Sequence, residues 1–228
     1  MTNQEFSNEF DILYNNIASN QAPGLDEYEK SVFLTSAQDS LILELFSGKN
    51  TLGDSFEKTE EVRQYLSDIV KTAQLSKVGD SDIIKISDNS TLFDLPENLW
   101  FITHESVKFN EEGLNEDPPT NIEVVPVTQD EFSRISKNPF RRPNINRVLR
   151  LNVSGKVELI SNYDIKSYII RYVSKLEPII LEDLPFGLTI KGESTETKCK
   201  LNPAIHEAIL GRAVELAKTS MGLIESGR

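Results

Sequence analysis

The spacing of apolar residues changes along the chain, and this change constrains the fold more than any single motif. Near the N-terminus, apolar residues recur at steps of four, three and four, at Phe6, Phe10, Leu13 and Ile17. Such steps place side chains on one face of a helix. From Gly79 onward, apolar and polar residues alternate as they do in half-buried strands. The pattern predicts an α+β protein with amphipathic N-terminal helices, a central β-rich region and a C-terminal helix.

Two capping boxes predict where the first helices begin. Thr2 is followed by Glu5, and Asp26 by Glu29. At this spacing the two side chains each accept a hydrogen bond from a backbone amide that has no partner in the helix. Gly48 is expected to end the second helix, because glycine adopts the left-handed conformation that closes many helices.

A third helix is predicted from Asp54 or Ser55. Its apolar face is formed by Val62, Leu66, Ile69 and Ala73. Residues 1–76 are therefore expected to form a helical N-terminal region. Its apolar stripes could pack within the chain or against a neighbouring subunit, and both alternatives stay open at this point.

Short strand-like runs fill residues 77–201. They lie at Ile84 and Ile86 and at residues 91–93, 99–109, 122–127, 147–153, 157–161, 165–173, 178–182, 188–191 and 195–201. The sequence VSGKV is a hairpin signal at residues 153–157. A short helical turn is predicted from Thr128. Because no helix of crossover length separates the later strands, we expect a mostly antiparallel sheet or a sandwich-like unit.

The last predicted element is a helix within residues 202–228. Asn202 is a good cap, and Pro203 fits the first turn, where the amide has no partner. Ile205, Ile209 and Leu216 lie on its apolar face. We expect this helix to pack on the β-rich domain or on a neighbouring subunit.

Charge is unevenly distributed along this acidic chain, whose net charge is −12. Residues 1–118 hold 23 Asp/Glu against 8 Lys/Arg, whereas residues 119–228 hold 13 against 16. The segment from Phe132 to Val157 contains no acid. Within it, Arg141 and Arg142 lie between two prolines, which predicts an exposed, extended loop. A solvated or intersubunit salt-bridging surface is the favoured role, with DNA contact and binding of a small anion as alternatives.

The sequence contains no pattern that indicates catalysis, a cofactor or a metal. A single cysteine, Cys199, excludes an intramolecular disulfide and a cysteine-rich zinc site. The two histidines, His104 and His206, are far apart and are expected to be structural. The longest apolar runs are much shorter than the roughly 20 residues that span a bilayer, so no membrane association is expected. We expect no enzymatic activity.

Several long segments resemble a known group of proteins. They are SYIIRYVSKLEPIILEDL, GLTIKG and TKCKLNPAIHEAILGRAVELAK, with EFDILYNN and APGLDEYEKSVFLTSAQ near the N-terminus. These segments occur in the expected order along the chain, from Glu9 to Lys218, and they resemble structural proteins of crAss-like phages of gut Bacteroidales. Within that group the similarity is to the virion proteins that form rings between the portal and the tail.

The resemblance implies a non-enzymatic head-to-tail connector. Such a protein would form a ring of twelve copies below the portal, contact the portal and other ring or tail proteins, and let packaged DNA pass through its lumen without specific binding. It would be assembled in the bacterial host cytoplasm and reside in the virion. The expected interface residues are Arg141, Arg142, Arg147, Ile205, Ile209 and Leu216. The alternative is a host-surface-binding or tail-accessory virion protein, although the only tryptophan, Trp100, lies in an apolar strand.

Overall fold

The computed structural model describes residues 1–15, 24–48, 60–79, 85–110, 119, 122–153 and 155–222. Its helices are α1 (Asn3–Asn15), α2 (Glu27–Ser47), α3 (Glu60–Tyr65), α4 (Gln129–Ile135) and α5 (His206–Ser220). Its strands are β1 (Val70–Leu75), β2 (Ser90–Asp94), β3 (Leu99–Phe109), β4 (Glu123–Pro126), β5 (Arg147–Val153), β6 (Lys156–Ile160) and β7 (Ile165–Ser174). The predicted α+β class is therefore confirmed.

Contacts divide the chain into two units. Residues 1–69 and 176–228 form the first, here called the helical unit, and residues 70–175 form the second, the β unit. The C-terminal helix α5 packs on α1 and α2 within the helical unit. None of the described helices is long and apolar enough to cross a membrane.

Both predicted capping boxes are present in the helical unit. The Thr2 amide donates to Glu5 Oε2 at 2.8 Å, and the Glu5 amide donates to Thr2 Oγ1 at 3.2 Å. Asp26 and Glu29 form the same reciprocal pair at the start of α2. Gly48 ends α2 with a φ of 73°, in the left-handed region that glycine tolerates.

Polar side chains of α2 hold an extended segment of the helical unit, residues 177–181. Gln38 Nε2 donates to the Glu177 carbonyl at 3.1 Å, and Ser31 Oγ accepts from the Leu181 amide at 3.0 Å. Between them, Thr35 Oγ1 accepts from the Ile179 amide at 3.1 Å and donates to the Ile179 carbonyl at 3.3 Å. One helix face thus satisfies backbone groups that a neighbouring strand would normally satisfy.

The strands predicted at 178–182, 188–191 and 195–201 do not form, and at 178–182 these contacts explain why. Only isolated bridges form there, between Ile180 and Thr197 and between Ile190 and Glu193. The apolar side chains of the first segment, Ile179 and Ile180, are fully buried against helices. Alternation therefore marked an extended, buried chain, whose backbone hydrogen bonds go mostly to side chains and, at Ile180, also to the backbone of Thr197.

The Thr35 contact makes a testable contribution to stability. Replacing Thr35 by Val keeps the shape of the side chain but leaves the buried Ile179 amide and carbonyl without a partner. We expect Thr35→Val to lower the free energy of unfolding by about 2 kcal/mol. Urea denaturation followed by far-ultraviolet circular dichroism measures this change. Ser36→Ala, at an exposed position on the same helix, is the control and should change stability little. Equal effects of the two substitutions would contradict the prediction.

The β unit contains two sheets. One has the strand order β1-β7-β3 with antiparallel pairs throughout, and the other has the order β2-β6-β5-β4. In the second sheet only the β4–β5 pair is parallel. The predicted hairpin at 153–157 joins β5 to β6, with Val153 opposite Lys156. The prediction of a mostly antiparallel, sandwich-like unit is confirmed.

The core of the β unit consists of buried side chains from both sheets. They include Phe93, Phe109, Val148, Leu159, Tyr168 and Ile170. The other face of the second sheet carries a smaller apolar cluster around Leu149, Leu151 and Ile160, against which Phe132 and Ile135 of α4 pack. The helical turn predicted from Thr128 is α4, and Thr128 caps it.

Two buried polar contacts stabilise the β unit. Glu158 of β6 is fully buried, and its Oε1 accepts from the amides of Ile86 at 3.0 Å and Ser87 at 3.1 Å. The same oxygen accepts from Ser90 Oγ at 2.6 Å.

The second contact links the two sheets. Arg150 Nε on β5 lies 3.2 Å from Glu105 Oε1 on β3. Tyr168 on β7 donates its hydroxyl to the same carboxylate. Burial raises the pKa of Tyr168, so the hydroxyl remains a donor.

Two local predictions differ from the structure or fall outside its described residues. The third helix does not extend to Ala73: it ends at Tyr65, and Ala73 lies in β1 opposite Ile170. Although the apolar spacing is helical there, residues 70–75 form a strand, because pairing with β7 satisfies their backbone hydrogen bonds in the sheet. The helix start predicted at Asp54 or Ser55 and the strand position Ile84 lie outside the described residues, while Ile86 is outside any strand.

Candidate assembly surface

Residues 138–147, here called the basic turn, present the two predicted arginines. The Asn138 side chain accepts from the Phe140 amide at 3.0 Å, and its carbonyl accepts from the amides of Arg141 at 3.0 Å and Arg142 at 2.9 Å. The loop is exposed, but the prediction that it is extended was wrong. Asn138 folds it into a tight turn by accepting three successive amides.

The base of the basic turn is held by Arg147. Its Nε and Nη2 lie 3.0 and 2.9 Å from Glu123 Oε2, and its Nη1 donates to the Phe140 carbonyl at 3.0 Å. Asn162 Nδ2 also donates to the carbonyl of the buried Pro143 at 3.0 Å. The guanidinium of Arg147 thus has partners within its own chain, and it supports the turn.

At the tip of the basic turn, hydrogen bonds hold the backbone, whereas the side chains are exposed. Phe140 is 86% exposed, and Arg141 and Arg142 are exposed beside it. Neither arginine side chain has an ion pair or side-chain hydrogen bond among the described residues. Aromatic and arginine side chains are enriched at protein–protein interfaces relative to the rest of the surface. The tip therefore has the composition of a protein-binding surface.

The predicted apolar interface residues of α5 lie in a different setting. Ile205, in the 3-10 turn that precedes α5, is 5% exposed, and Ile209 in α5 is 0% exposed, since α5 packs on α1 and α2. Leu216 is partly buried. Since Ile205 and Ile209 are buried within their own unit, Arg141 and Arg142 are the exposed members of the predicted set.

A second exposed structure was not predicted from the sequence. Residues 182–196, here called the finger, end in a β-turn in which the Leu188 amide donates to the Pro185 carbonyl at 3.0 Å. Gly187 has a φ of 92°, as the third residue of a type II turn requires. Phe186 at the tip is fully exposed. The sequence Pro-Phe-Gly was the available signal, but it was assigned to a link between strands.

Hydrogen bonds along the finger make it a defined structure. The Leu184 amide donates to the Ser194 carbonyl at 2.8 Å, and Ile190 and Glu193 exchange backbone hydrogen bonds of 2.8 and 3.0 Å. Lys191 anchors the finger to α2, with its Nζ 2.7 Å from Asp39 Oδ2. The finger is thus attached to the helical unit.

The uneven distribution of charge along the sequence corresponds to a difference in net charge between the two units. The helical unit has 21 Asp/Glu against 10 Lys/Arg, a net charge of −11, whereas the β unit has 15 against 14, a net charge of −1. The finger belongs to the acidic unit, and the basic turn belongs to the nearly neutral one.

The titratable residues do not form a reactive cluster within the described part of the chain. No group of three or more His, Cys, Asp or Glu side chains is arranged to hold a metal ion there. Burial raises the pKa of the Cys199 thiol, which favours the unreactive protonated form. His104 is exposed, whereas His206 is buried and its Nε2 donates to the Leu201 carbonyl at 2.9 Å.

His206 should make stability depend on pH. Burial lowers its pKa in the folded state, although the hydrogen bond to Leu201 opposes this shift. The unfolded chain, with an ordinary histidine pKa near 6.5, therefore binds a proton first as the pH falls, and stability is lost below about pH 6.5. Between pH 7.5 and 5.5, the free energy of unfolding should fall more in the wild type than in His206→Gln. Urea denaturation at each pH checks this, with His104→Gln as the control. A His206→Gln variant with the wild-type pH dependence would contradict it.

Comparison with known proteins shows similarity along nearly the whole chain. A family model described as phage tail ring protein 3/4 matches residues 1–227. Ring protein 3 of Bacteroides phage crAss001 is 48% identical over 220 residues, covering 95% of this chain and 95% of the relative. Ring protein 4/5 of the same phage is 36% identical over 230 residues, covering 96% of this chain and 93% of the relative.

Proposed function

The chain belongs to the phage tail ring protein 3/4 family of crAss-like phages, and from this membership we propose that it is a subunit of the connector between head and tail. It is a structural component of the virion that assembles with other ring or tail proteins. The proposal places the ring below the portal, with the genome passing through its lumen. The match over residues 1–227 carries this proposal, since it includes both units.

We propose a ring of twelve copies that contacts the portal. The direct test is the mass of the purified full-length chain in solution, alone and mixed with the portal, measured by native mass spectrometry. The expected species contains twelve copies of the 25.7 kDa chain. A strict monomer that never joins the portal would contradict the proposal.

The contact between neighbouring subunits is proposed to be electrostatic and to involve the exposed tip of the basic turn. Arg141 and Arg142 have no side-chain partner among the described residues, and the helical unit carries almost all of the net negative charge. A basic turn that faces the acidic unit of the next copy would be steered and oriented by complementary charge. In a closed ring each subunit would make this contact twice, once through each surface.

The proposed role needs no enzymatic activity, and assembly is proposed to take place in the host cytoplasm.

An acidic lumen would let DNA pass without adhering, because stable contacts with phosphates require Lys or Arg. A ring reconstruction with a lumen lined by Lys and Arg would contradict this part of the proposal.

A further inference from the structure

The exposed Phe186 at the tip of the finger is not explained by the fold of the helical unit. Its side chain contributes nothing to that core, since it is fully exposed, and Leu188 beside it is 38% exposed. The tip nevertheless has a defined backbone, with a positive φ at Gly187 and a closing hydrogen bond from Leu188 to Pro185. Presenting an aromatic side chain on an ordered turn reduces the conformational entropy lost when that side chain binds.

The sides of the finger carry carboxylates without partners. Glu182 and Glu193 are exposed, and neither side chain has an ion pair or hydrogen bond among the described residues. Asp183 differs, because its Oδ1 accepts from the Glu196 amide at 2.8 Å and so helps to hold the finger together. The finger therefore presents an aromatic tip with two free negative charges.

The basic turn has the complementary composition. Phe140 is 86% exposed at its tip, and Arg141 and Arg142 supply two free positive charges beside it. An arginine beside an aromatic ring gains cation–π attraction as well as ion pairing. The two structures thus match in both apolar and charged groups.

We propose that the finger of one subunit docks on the basic turn of an adjacent copy of the same chain. Phe186 packs against Phe140, and Glu182 and Glu193 pair with Arg141 and Arg142. The contact joins two different surfaces of the chain, so it is head-to-tail and can close into a ring. This inference rests on the proposed ring function and names the acidic surface that the arginines meet.

A charge-swap cycle tests the pairing directly. The full-length wild type is compared with Glu182→Lys/Glu193→Lys, with Arg141→Glu/Arg142→Glu, and with the variant that carries all four substitutions. Mass photometry over a concentration series gives the subunit concentration at half-assembly. We expect each double variant to raise this concentration by at least about tenfold, and the combined variant to recover most of the loss. The proposal is overturned if the combined variant assembles no better than the double variants.

A second variant tests the apolar part of the contact. Phe186→Ser should also raise the half-assembly concentration by about tenfold or more, because it removes the anchor but leaves the turn residues Pro185 and Gly187. Ile12→Ser is the matched control, since Ile12 is 59% exposed on α1 of the same unit. It should assemble like the wild type, and circular dichroism should show native secondary structure in both variants.

The outcomes separate this inference from the proposed function. If the wild type forms rings and the arginine variant does not, but the finger variants assemble normally, the finger is not the partner and only this inference fails. It also fails if the finger variants form normal rings but lose binding to the portal. If the wild type forms no ring, alone or with the portal, the proposed function fails as well.

Discussion

Arg141→Glu combined with Arg142→Glu is expected to prevent ring assembly at physiological salt while leaving the subunit folded. Both side chains are exposed at the tip of the basic turn, whose backbone is held by Asn138 and Arg147, so the fold does not depend on them. Reversal would replace attraction to an acidic neighbour by repulsion, a change of about 2–5 kcal/mol per contact. Each subunit in a ring makes two such contacts. Sedimentation velocity of the purified chain measures the loss.

A second charge reversal distinguishes this local effect from an effect of net charge. Lys108→Glu with Lys166→Glu changes the net charge by the same amount at exposed positions of the same unit, on β3 and β7. This control should still form rings. Assembly of the arginine variant at the wild-type level would rule out the basic turn as an interface, and loss of assembly in both variants would point to net charge.

Replacing Glu158 by Ala is expected to destabilise the β unit strongly. The substitution removes the acceptor of three groups at once: the amides of Ile86 and Ser87 and the hydroxyl of Ser90. Hydrogen bonds to an ionised group each contribute about 1.5–3 kcal/mol, although the exposed loop can recover part of this by binding water. We therefore expect a decrease of about 3 kcal/mol in the free energy of unfolding, measured by urea denaturation.

The isosteric variant Glu158→Gln tests whether the charge matters. The amide oxygen can still accept at the position of Oε1, but the amide nitrogen then faces the Ile86 amide, which also donates, and the charge is lost; this variant should therefore lose about 1 kcal/mol. Hydrogen exchange should become faster at the amides of Ile86 and Ser87 in both variants. The control Glu97→Gln lies on the exposed surface of the same unit and should leave both measurements unchanged. Protection of the two amides in Glu158→Ala would disprove the role of the carboxylate.

The sequence predicted those parts of the fold that depend on local rules. Capping residues such as Asp26 and Glu29 act on amides within one turn, so their spacing alone locates the start of α2. The strand period likewise predicted β3 with the bounds that the structure has, Leu99 to Phe109. In both cases the decisive interactions are repeated at short intervals along the chain.

The errors come from partners that are distant in sequence. Thr35 and Ile179 are 144 residues apart, and nothing near either residue indicates that a threonine hydroxyl replaces a strand partner. Ala73 fitted a helical face, but pairing with β7 placed it in a sheet. Periodicity describes the environment of a side chain, and it does not identify the group that satisfies the backbone.

The candidate site was predictable in part for the same reason. The absence of acids around Arg141 and Arg142 is visible in the sequence, and two prolines indicated that they are exposed. The same pattern could not show that Arg147 is held by Glu123, which is 24 residues away. The finger was missed because the exposure of Phe186 follows from turn geometry, and strand alternation in the surrounding residues concealed the turn.

The division of the helical unit into residues 1–69 and 176–228 has a consequence for synthesis on the ribosome. The β unit is continuous and can close as soon as residues 70–175 have emerged. Helices α1 and α2 are made earlier, but the groups that cover them, residues 177–181 and α5, are translated more than 100 residues later. The apolar faces of the N-terminal helices therefore remain uncovered until the C-terminal residues have been translated. The surface that carries the finger likewise cannot form before translation is nearly complete. With the interface proposed above, a nascent subunit would be unable to join a ring until both of its units are present.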